Sequence, residues 1–175
     1  MLYNNETFFD VEAQKEYTKK SYKVLDNNDK KTKDIDWGRY IVYDFDKDGE
    51  NELAVIIEVH SAESDMRVFD KQNDKVYAYT FEYRGFLNVY ADGAIVGSSA
   101  ADKFTYYNVK FDKNKRQEII IANATSEETE SGQYEKVWYI GEKKVSEEEF
   151  YSFIKRYEET EIVPWSSFSL DSKLT

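Results

Sequence analysis

Apolar and polar residues alternate along the middle of the chain, between residues 37 and 140, in short segments separated by turn formers such as Gln72-Asn73-Asp74 and Asp92-Gly93. This period is typical of strands that bury one face of a sheet. The spacers are too short for helical crossovers, so neighbouring strands should be antiparallel. We predict an α+β fold that is mainly β, with an antiparallel meander of about eight strands. The predicted strands are WGRYIVYD, ELAVIIEVH, DMRVFDK, KVYAYTFEY, FLNVYADG, KFTYYNVKF, RQEIIIANA and YEKVWYIG.

The segment from Asp10 to Asp26 has a helical period instead. Its apolar residues can share one face of a helix while Lys, Glu and Gln occupy the others. We therefore predict an N-terminal amphipathic helix, followed by an exposed connection that extends to residue 36. The apolar face would consist of Ala13, Tyr17, Val24 and Leu25.

A second amphipathic helix is predicted near the C-terminus. Ser146 is followed three residues later by Glu149, which is the pattern of a capping box, and Val145 and Phe150 can form a hydrophobic staple. The apolar residues that follow recur at i, i+3, i+4 and i+7, so one face should lie on the core. These residues are Phe150, Phe153, Ile154 and Tyr157.

The length of the chain, 175 residues, fits one domain with one core. We predict a single domain over residues 1–175, with an N-terminal helix and connection at 1–36, a β-rich core at 37–140 and a C-terminal helix and tail at 141–175. Aromatic residues make up 17% of the chain, which also favours sheet packing over a helical bundle.

The formal net charge of −11 disfavours nucleic acid and anionic membrane surfaces as partners, because phosphate groups are repelled. No apolar run has the length of a membrane-spanning helix. We expect a protein or a carbohydrate as the ligand. The chain has no cysteine and one histidine, so a bound metal would be a hard cation held by oxygen atoms.

The most specific motif is an acidic loop with the spacing Asp-x-Asp-x-Asp-Gly-x-x-Glu, which begins at Asp44. Three carboxylates at alternate positions can converge if the chain turns sharply, and Gly49 readily adopts the positive φ that such a turn needs. Each close pair of these charges repels by about 1 kcal/mol, which a cation would relieve. A solvated acidic turn is the simpler interpretation. We predict a Ca²⁺ site formed by the side chains of Asp44, Asp46, Asp48 and Glu52 and by the backbone carbonyl of Glu50.

The loop is not an EF-hand, because position twelve, where that motif needs a bidentate Glu, is Val55 inside a predicted strand. Over its nine residues it resembles the shortened DxDxDGxx(D/E) loop of the integrin-α (FG-GAP) type of β-propeller repeat. That resemblance implies a calcium loop between two strands.

A broader stretch, from about Tyr40 to Phe150, resembles uncharacterised secreted or lipid-anchored proteins of Gram-positive bacteria in which a strand enters DxDGDGxxEL. The resemblance implies a β-rich domain with a calcium loop and no assigned activity. Lys47 stands where that pattern often has Gly, a departure that costs little if its side chain points to water.

The same carboxylates allow an enzymatic interpretation. A strand that ends in Asp-x-Asp resembles the start of the haloacid-dehalogenase phosphatases, in which Asp44 would be the nucleophile and Asp46 the acid/base beside Mg²⁺. Asp48 departs from the Thr or Val of that family, and a strand rather than a helix follows. We therefore predict a non-enzymatic domain with no catalytic residue. An intracellular acidic protein that neutralises a basic partner is a further alternative.

Two other features have simpler structural explanations. His60 lies at the end of a predicted strand and can act as a base with Glu58 or Asp65, but a surface histidine is the commoner case. An aromatic stripe on one predicted strand can stack sugar rings, although packing in the core is the commoner reason for it. The stripe consists of Tyr77, Tyr79, Phe81 and Tyr83.

The compartment follows from the predicted metal. Extracellular calcium modules bind Ca²⁺ at about 10⁻⁴ to 10⁻³ M, whereas cytosolic calcium is scarce. We expect an extracytoplasmic protein, secreted or anchored at the cell surface. The opening MLYNNETFFD has no basic and apolar leader, so the leader would not be part of this chain.

Overall fold

The computed structural model describes residues 6–18, 21–22, 24–26, 31–33, 36–59, 62–82, 84–100, 103–113 and 115–167. Within these ranges there are fifteen strands and one helix, which confirms a mainly β protein. The strands are β1 (Thr7–Asp10), β2 (Lys15–Thr18), β3 (Val24–Asp26), β4 (Lys31–Lys33), β5 (Asp36–Tyr43), β6 (Glu52–Val59), β7 (Ala62–Gln72), β8 (Lys75–Phe81), β9 (Asn88–Val89), β10 (Ile95–Ala100), β11 (Lys103–Asp112), β12 (Lys115–Glu128), β13 (Tyr134–Ile140), β14 (Lys143–Val145) and β15 (Ser166–Ser167), and the helix is α1 (Glu147–Glu158).

The strands form two large sheets instead of one meander. A seven-stranded sheet has the order β15-β5-β6-β7-β8-β1-β2, and a six-stranded sheet runs from β9 to β14 in chain order. Consecutive strands from β5 to β8 and from β9 to β14 are antiparallel, as predicted, whereas β1 pairs with β8 in parallel. Strands β3 and β4 form a separate two-stranded sheet.

The predicted N-terminal helix is wrong. The chain is extended at Phe8, turns through residues 11–14 and returns as β2, with Gln14 at a φ of 52° that no α-helix accommodates. The rings of Phe8, Tyr17 and Tyr22 pack on one another, with centroids of Tyr17 and Tyr22 5.1 Å apart, and Phe8 also contacts Phe69 of β7. Aromatic packing on a sheet face, a tertiary effect, has overridden the weak helical period.

The C-terminal helix is confirmed. The Ser146 side chain accepts a hydrogen bond from the Glu149 amide, and the Glu149 carboxylate accepts one from the Ser146 amide, as a capping box requires. Phe150, Ile154 and Tyr157 are buried against the six-stranded sheet. Within the described residues, no helix has the length and apolar character that crossing a bilayer requires.

The two sheets pack face to face around the largest apolar cluster, which includes Ile41, Val68 and Tyr79 from one sheet and Ile95 and Val109 from the other. The helix covers the opposite face of the six-stranded sheet. The N-terminal aromatic rings cover the opposite face of the seven-stranded sheet. Both sheets are therefore packed on two faces, with the inter-sheet layer in the middle.

A buried polar network fixes the N-terminal segment. The Tyr22 hydroxyl donates to an Asp10 carboxylate oxygen at 3.0 Å and accepts from Arg67 Nε at 2.5 Å, and all three residues are at most 7% exposed. Burial raises the pKa of Tyr22, so its hydroxyl remains a neutral donor. One phenol therefore joins a buried carboxylate to a buried guanidinium.

Tyr22→Phe should lower the free energy of unfolding by about 1–3 kcal/mol, because it leaves two buried charged groups without their shared hydrogen-bond partner. Urea denaturation measures the loss. Tyr134→Phe is the matched control, since Tyr134 is 72% exposed and should be nearly neutral. Equal effects of the two substitutions would contradict the role given to the Tyr22 hydroxyl.

Candidate metal centre

The acidic loop joins β5 to β6, two antiparallel neighbours whose last ladder pair is Tyr43 with Glu52. Asp44 therefore follows immediately after one strand, and Glu52 begins the next. The strands bring the two ends of the loop together, so the first and last carboxylates of the motif meet across the hairpin.

The four predicted side-chain ligands form one group. Each can offer an oxygen so that all four oxygens lie within 4.8 Å of one another. Oxygens bound to a single Ca²⁺ at about 2.3–2.6 Å are separated by at most about 5 Å, so this spacing suits a shared ion. Asp44 and Asp46 are half-buried, Asp48 is exposed, and Glu52 is 1% exposed.

The backbone of the loop is wrapped around Asp44. Its carboxylate accepts hydrogen bonds from the amides of Asp48 at 3.1 Å and Gly49 at 3.2 Å. Gly49 has a φ of +98°, as the predicted sharp turn requires. Glu50 is exposed and its amide donates to Asp48 at 2.8 Å. The role of the Glu50 carbonyl stays a prediction.

Lys47 is exposed, and its side chain lies over the ring of Tyr43. Its ammonium donates to the Tyr43 hydroxyl at 2.7 Å and lies 4.2 Å from the centre of that ring. The Tyr43 hydroxyl in turn donates to the Ala91 carbonyl at 2.6 Å, in the turn before β10. Lys47 also has a φ of 61°, which explains why glycine suits this position in similar loops.

The loop also contacts the second sheet directly. The Phe111 amide of β11 donates to Asp46 at 3.3 Å. Between Asp44 and Asp46, the ring of Phe45 is 1% exposed and packs in the inter-sheet core, 5.4 Å from the Phe86 ring. The metal candidate therefore lies at the junction of the two sheets.

A fifth carboxylate, Asp70 of β7, lies beside Glu52 and is not part of the sequence motif. Asp70 is 5% exposed and accepts a hydrogen bond from Gln72 at 2.6 Å. Leu53 pairs with Phe69, so the next step along both antiparallel strands brings Asp70 beside Glu52. Only the register of β7 on β6 places Asp70 at this site, and the sequence alone does not supply that register.

Burial and mutual repulsion disfavour the ionised forms of these carboxylates. Burial, which is the largest cause, and the charges of Asp46, Asp70 and Asp48 together raise the pKa of Glu52 to about 8, although the hydrogen bond from the Phe45 amide lowers it. Burial is also the main cause of the raised pKa of Asp46 and of Asp70. A divalent cation would favour the ionised carboxylates again.

The remaining predicted residues do not join this centre. Tyr77, Tyr79 and Phe81 are at most 8% exposed and pack in the inter-sheet core, so they offer no ring face to a sugar. Tyr83 of the same stripe and His60 lie outside the described residues.

Comparison of the chain with protein-family models, with curated protein sequences and with solved structures finds no match.

In cation-free solution, the free energy of unfolding should fall as the pH rises from about 5 to 8. The pKa of Glu52 in the folded protein, about 8, lies above its ordinary value of 4.5. The folded state therefore keeps a proton that the unfolded chain has released. The stabilisation that comes from this retained proton is complete below about pH 4.5 and is lost as the pH passes about 8. Urea denaturation at several pH values in a chelating buffer measures the slope of the free energy of unfolding against pH.

Glu52→Gln should flatten the slope, since the amide does not titrate. Glu130→Gln, in an exposed turn, should preserve it. An unchanged slope in Glu52→Gln would assign the pH dependence to other groups.

Proposed function

We propose that this chain is a non-enzymatic, calcium-stabilised β domain that acts outside the cytoplasm as a binding or surface-presented module. The observation that carries the proposal is the convergence of four carboxylates, with ligand oxygens within 4.8 Å, at a hairpin turn that contacts both sheets. The resemblance of the loop to calcium loops between strands supports the same ion.

The donor set favours Ca²⁺ over Mg²⁺. Calcium accepts six to eight oxygens in irregular geometry, whereas Mg²⁺ demands a near-ideal octahedron and keeps several waters. Four carboxylates and one backbone carbonyl can supply several oxygens at varied angles. The loop amides occupy only some lone pairs of Asp44 and Asp48, since an ionised carboxylate has about four.

A cation would stabilise the tertiary structure as well as the hairpin. Asp46 accepts the Phe111 amide of the second sheet, so fixing Asp46 on an ion also fixes that contact. The ion would at the same time remove the repulsion among Glu52, Asp46 and Asp70. Calcium is thus proposed as a structural clamp rather than a catalytic group.

The phosphatase alternative requires the same loop in a different fold. A haloacid-dehalogenase site needs a parallel α/β fold and a helix after the loop, whereas here β6 returns antiparallel to β5 directly after it. A magnesium-dependent phosphoesterase is therefore kept only as an outcome of the experiment below.

Calcium at about 10 mM should raise the free energy of unfolding by about 1.4–2.7 kcal/mol, for a dissociation constant of about 10⁻³ to 10⁻⁴ M. Thermal and urea denaturation in calcium and in excess chelator measure the difference. Asp46→Asn should abolish it. Asp74→Asn, in the exposed β7–β8 turn, is the matched control and should keep it.

Identical stability in calcium and chelator would refute the clamp. Stabilisation by Mg²⁺ together with Mg²⁺-dependent hydrolysis of p-nitrophenyl phosphate, lost in Asp44→Asn, would instead favour the phosphatase. Fractionation of the native producing cells separates the proposed extracytoplasmic location from that of an intracellular acidic protein.

A further inference from the structure

A cleft of about 500 Å³ lies beside the segment that leaves β8. Glu82 and Gly85 of that segment form one wall, and residues of β10, β11 and β12 form the other. Its volume falls within the range of about 300–1,000 Å³ that is usual for small-molecule sites. The residues used below from the second wall are Gly97, Thr105, Glu118 and Ile120.

The walls of the cleft are held in place by backbone contacts. The Gly85 amide donates to the Glu82 carbonyl at 2.7 Å, and the Ser98 amide donates to the Arg84 carbonyl at 2.7 Å. The Tyr107 hydroxyl donates to the Gly85 carbonyl. A Cβ at Gly97 would lie 2.4 Å from the same carbonyl, so the two walls touch at a glycine. The cleft is therefore preformed in the fold.

The backbone at the mouth of the cleft is unusual. Arg84 has a φ of 64°, a conformation that non-glycine residues adopt at an energetic cost and that is concentrated at binding sites. A β-bulge interrupts β10 between Ser98 and Ala100, and bulges redirect side chains, often beside functional sites. Both irregularities belong to residues that line the cleft or lie next to it.

The lining combines polar and apolar surface, and its charged side chains are of both signs. Glu118 forms an ion pair with Arg116 at 3.0 Å, and Glu82 shares the cleft with Arg84. The half-buried, hydroxyl-bearing side chain of Thr105 also lines the cleft. A cleft with balanced charge gives little net attraction to a phosphate or another strongly charged ligand.

One part of the lining is apolar. Ile120, which pairs with Tyr107 across β11 and β12, is 41% exposed and borders the cleft. Carboxylates that accept hydrogen bonds, a hydroxyl and an exposed aliphatic surface match a ring that has hydroxyl groups at its edge and C–H groups on its face.

We propose that this cleft binds a neutral saccharide of one or two rings, with Glu82 and Glu118 accepting hydrogen bonds from sugar hydroxyls and Ile120 contacting a ring face. The inference rests on the proposed role as a binding domain and gives that role a ligand class. None of these residues belongs to the acidic loop, so the cleft and the calcium clamp can be tested separately.

The test uses the ¹⁵N-labelled full chain in calcium buffer, titrated with three uncharged disaccharides, maltose, cellobiose and N,N′-diacetylchitobiose. At least one should shift the amide signals of Gly85 and Gly97. Glu118→Gln replaces a charged acceptor with a weaker neutral one, and Thr105→Val removes a hydroxyl, so each should weaken that binding about tenfold. Glu148→Gln, exposed in the first turn of α1, is the matched control and should bind normally.

The inference is overturned if none of the disaccharides shifts these amides, if the shifts lie elsewhere, or if both cleft variants, shown by their spectra to be folded, bind like the control. Preferential binding of glycine betaine or lysine, added as charged competitors, would also overturn it. If the sugar has no effect while calcium still raises the melting temperature, the cleft inference alone fails. If a disaccharide binds but calcium does not raise the melting temperature, only the proposed calcium clamp fails.

Discussion

The burial of carboxylates at the junction of the two sheets is the constraint on which the rest of the structure depends. Glu52 begins β6 at 1% exposure, and Asp46 accepts a hydrogen bond from β11 of the other sheet. The junction cannot close without bringing these charges out of water. Removing a charge from water is unfavourable unless it is paired, hydrogen-bonded or neutralised.

The two buried polar clusters differ in how their charges are compensated. In the N-terminal network, the carboxylate of Asp10 and the guanidinium of Arg67 share the Tyr22 hydroxyl, so opposite charges compensate within the chain. At the sheet junction, Glu52 accepts a hydrogen bond from the Phe45 amide but faces the charges of Asp46 and Asp70. The charges of the first cluster are compensated within the chain, whereas the second cluster would be stabilised by an added positive charge.

Much of the fold was predictable because local and tertiary preferences agree. The alternation in β5 to β8 matches a sheet packed on a core, and the capping box at Ser146 specifies the start of α1 locally. The N-terminal helix failed because Tyr17 and Tyr22 pack on Phe8, a contact that a helical period does not reveal. Strand β10 was missed because IVGSSA contains glycine and serine, which have low β propensity.

The candidate site was also predictable in part. The spacing of Asp44, Asp46, Asp48 and Glu52 is local, and the structure brings these side chains together. Asp70 was not predictable, because it reaches the cluster only through the register of β7 on β6. The position of the Lys47 side chain depends on Tyr43 and the turn at Ala91, forty-eight residues beyond Tyr43, so its contact is also a product of tertiary structure.

One pattern explains why an acidic loop and a hydrophobic core can share this segment. Asp44 and Asp46 flank Phe45 in the turn that follows β5. Phe45 enters the inter-sheet core, and the carboxylates on either side of it belong to the acidic group. One apolar side chain therefore anchors the acidic turn to the core. Phe45 holds the loop against the core, and a cation would relieve the repulsion among the carboxylates beside it.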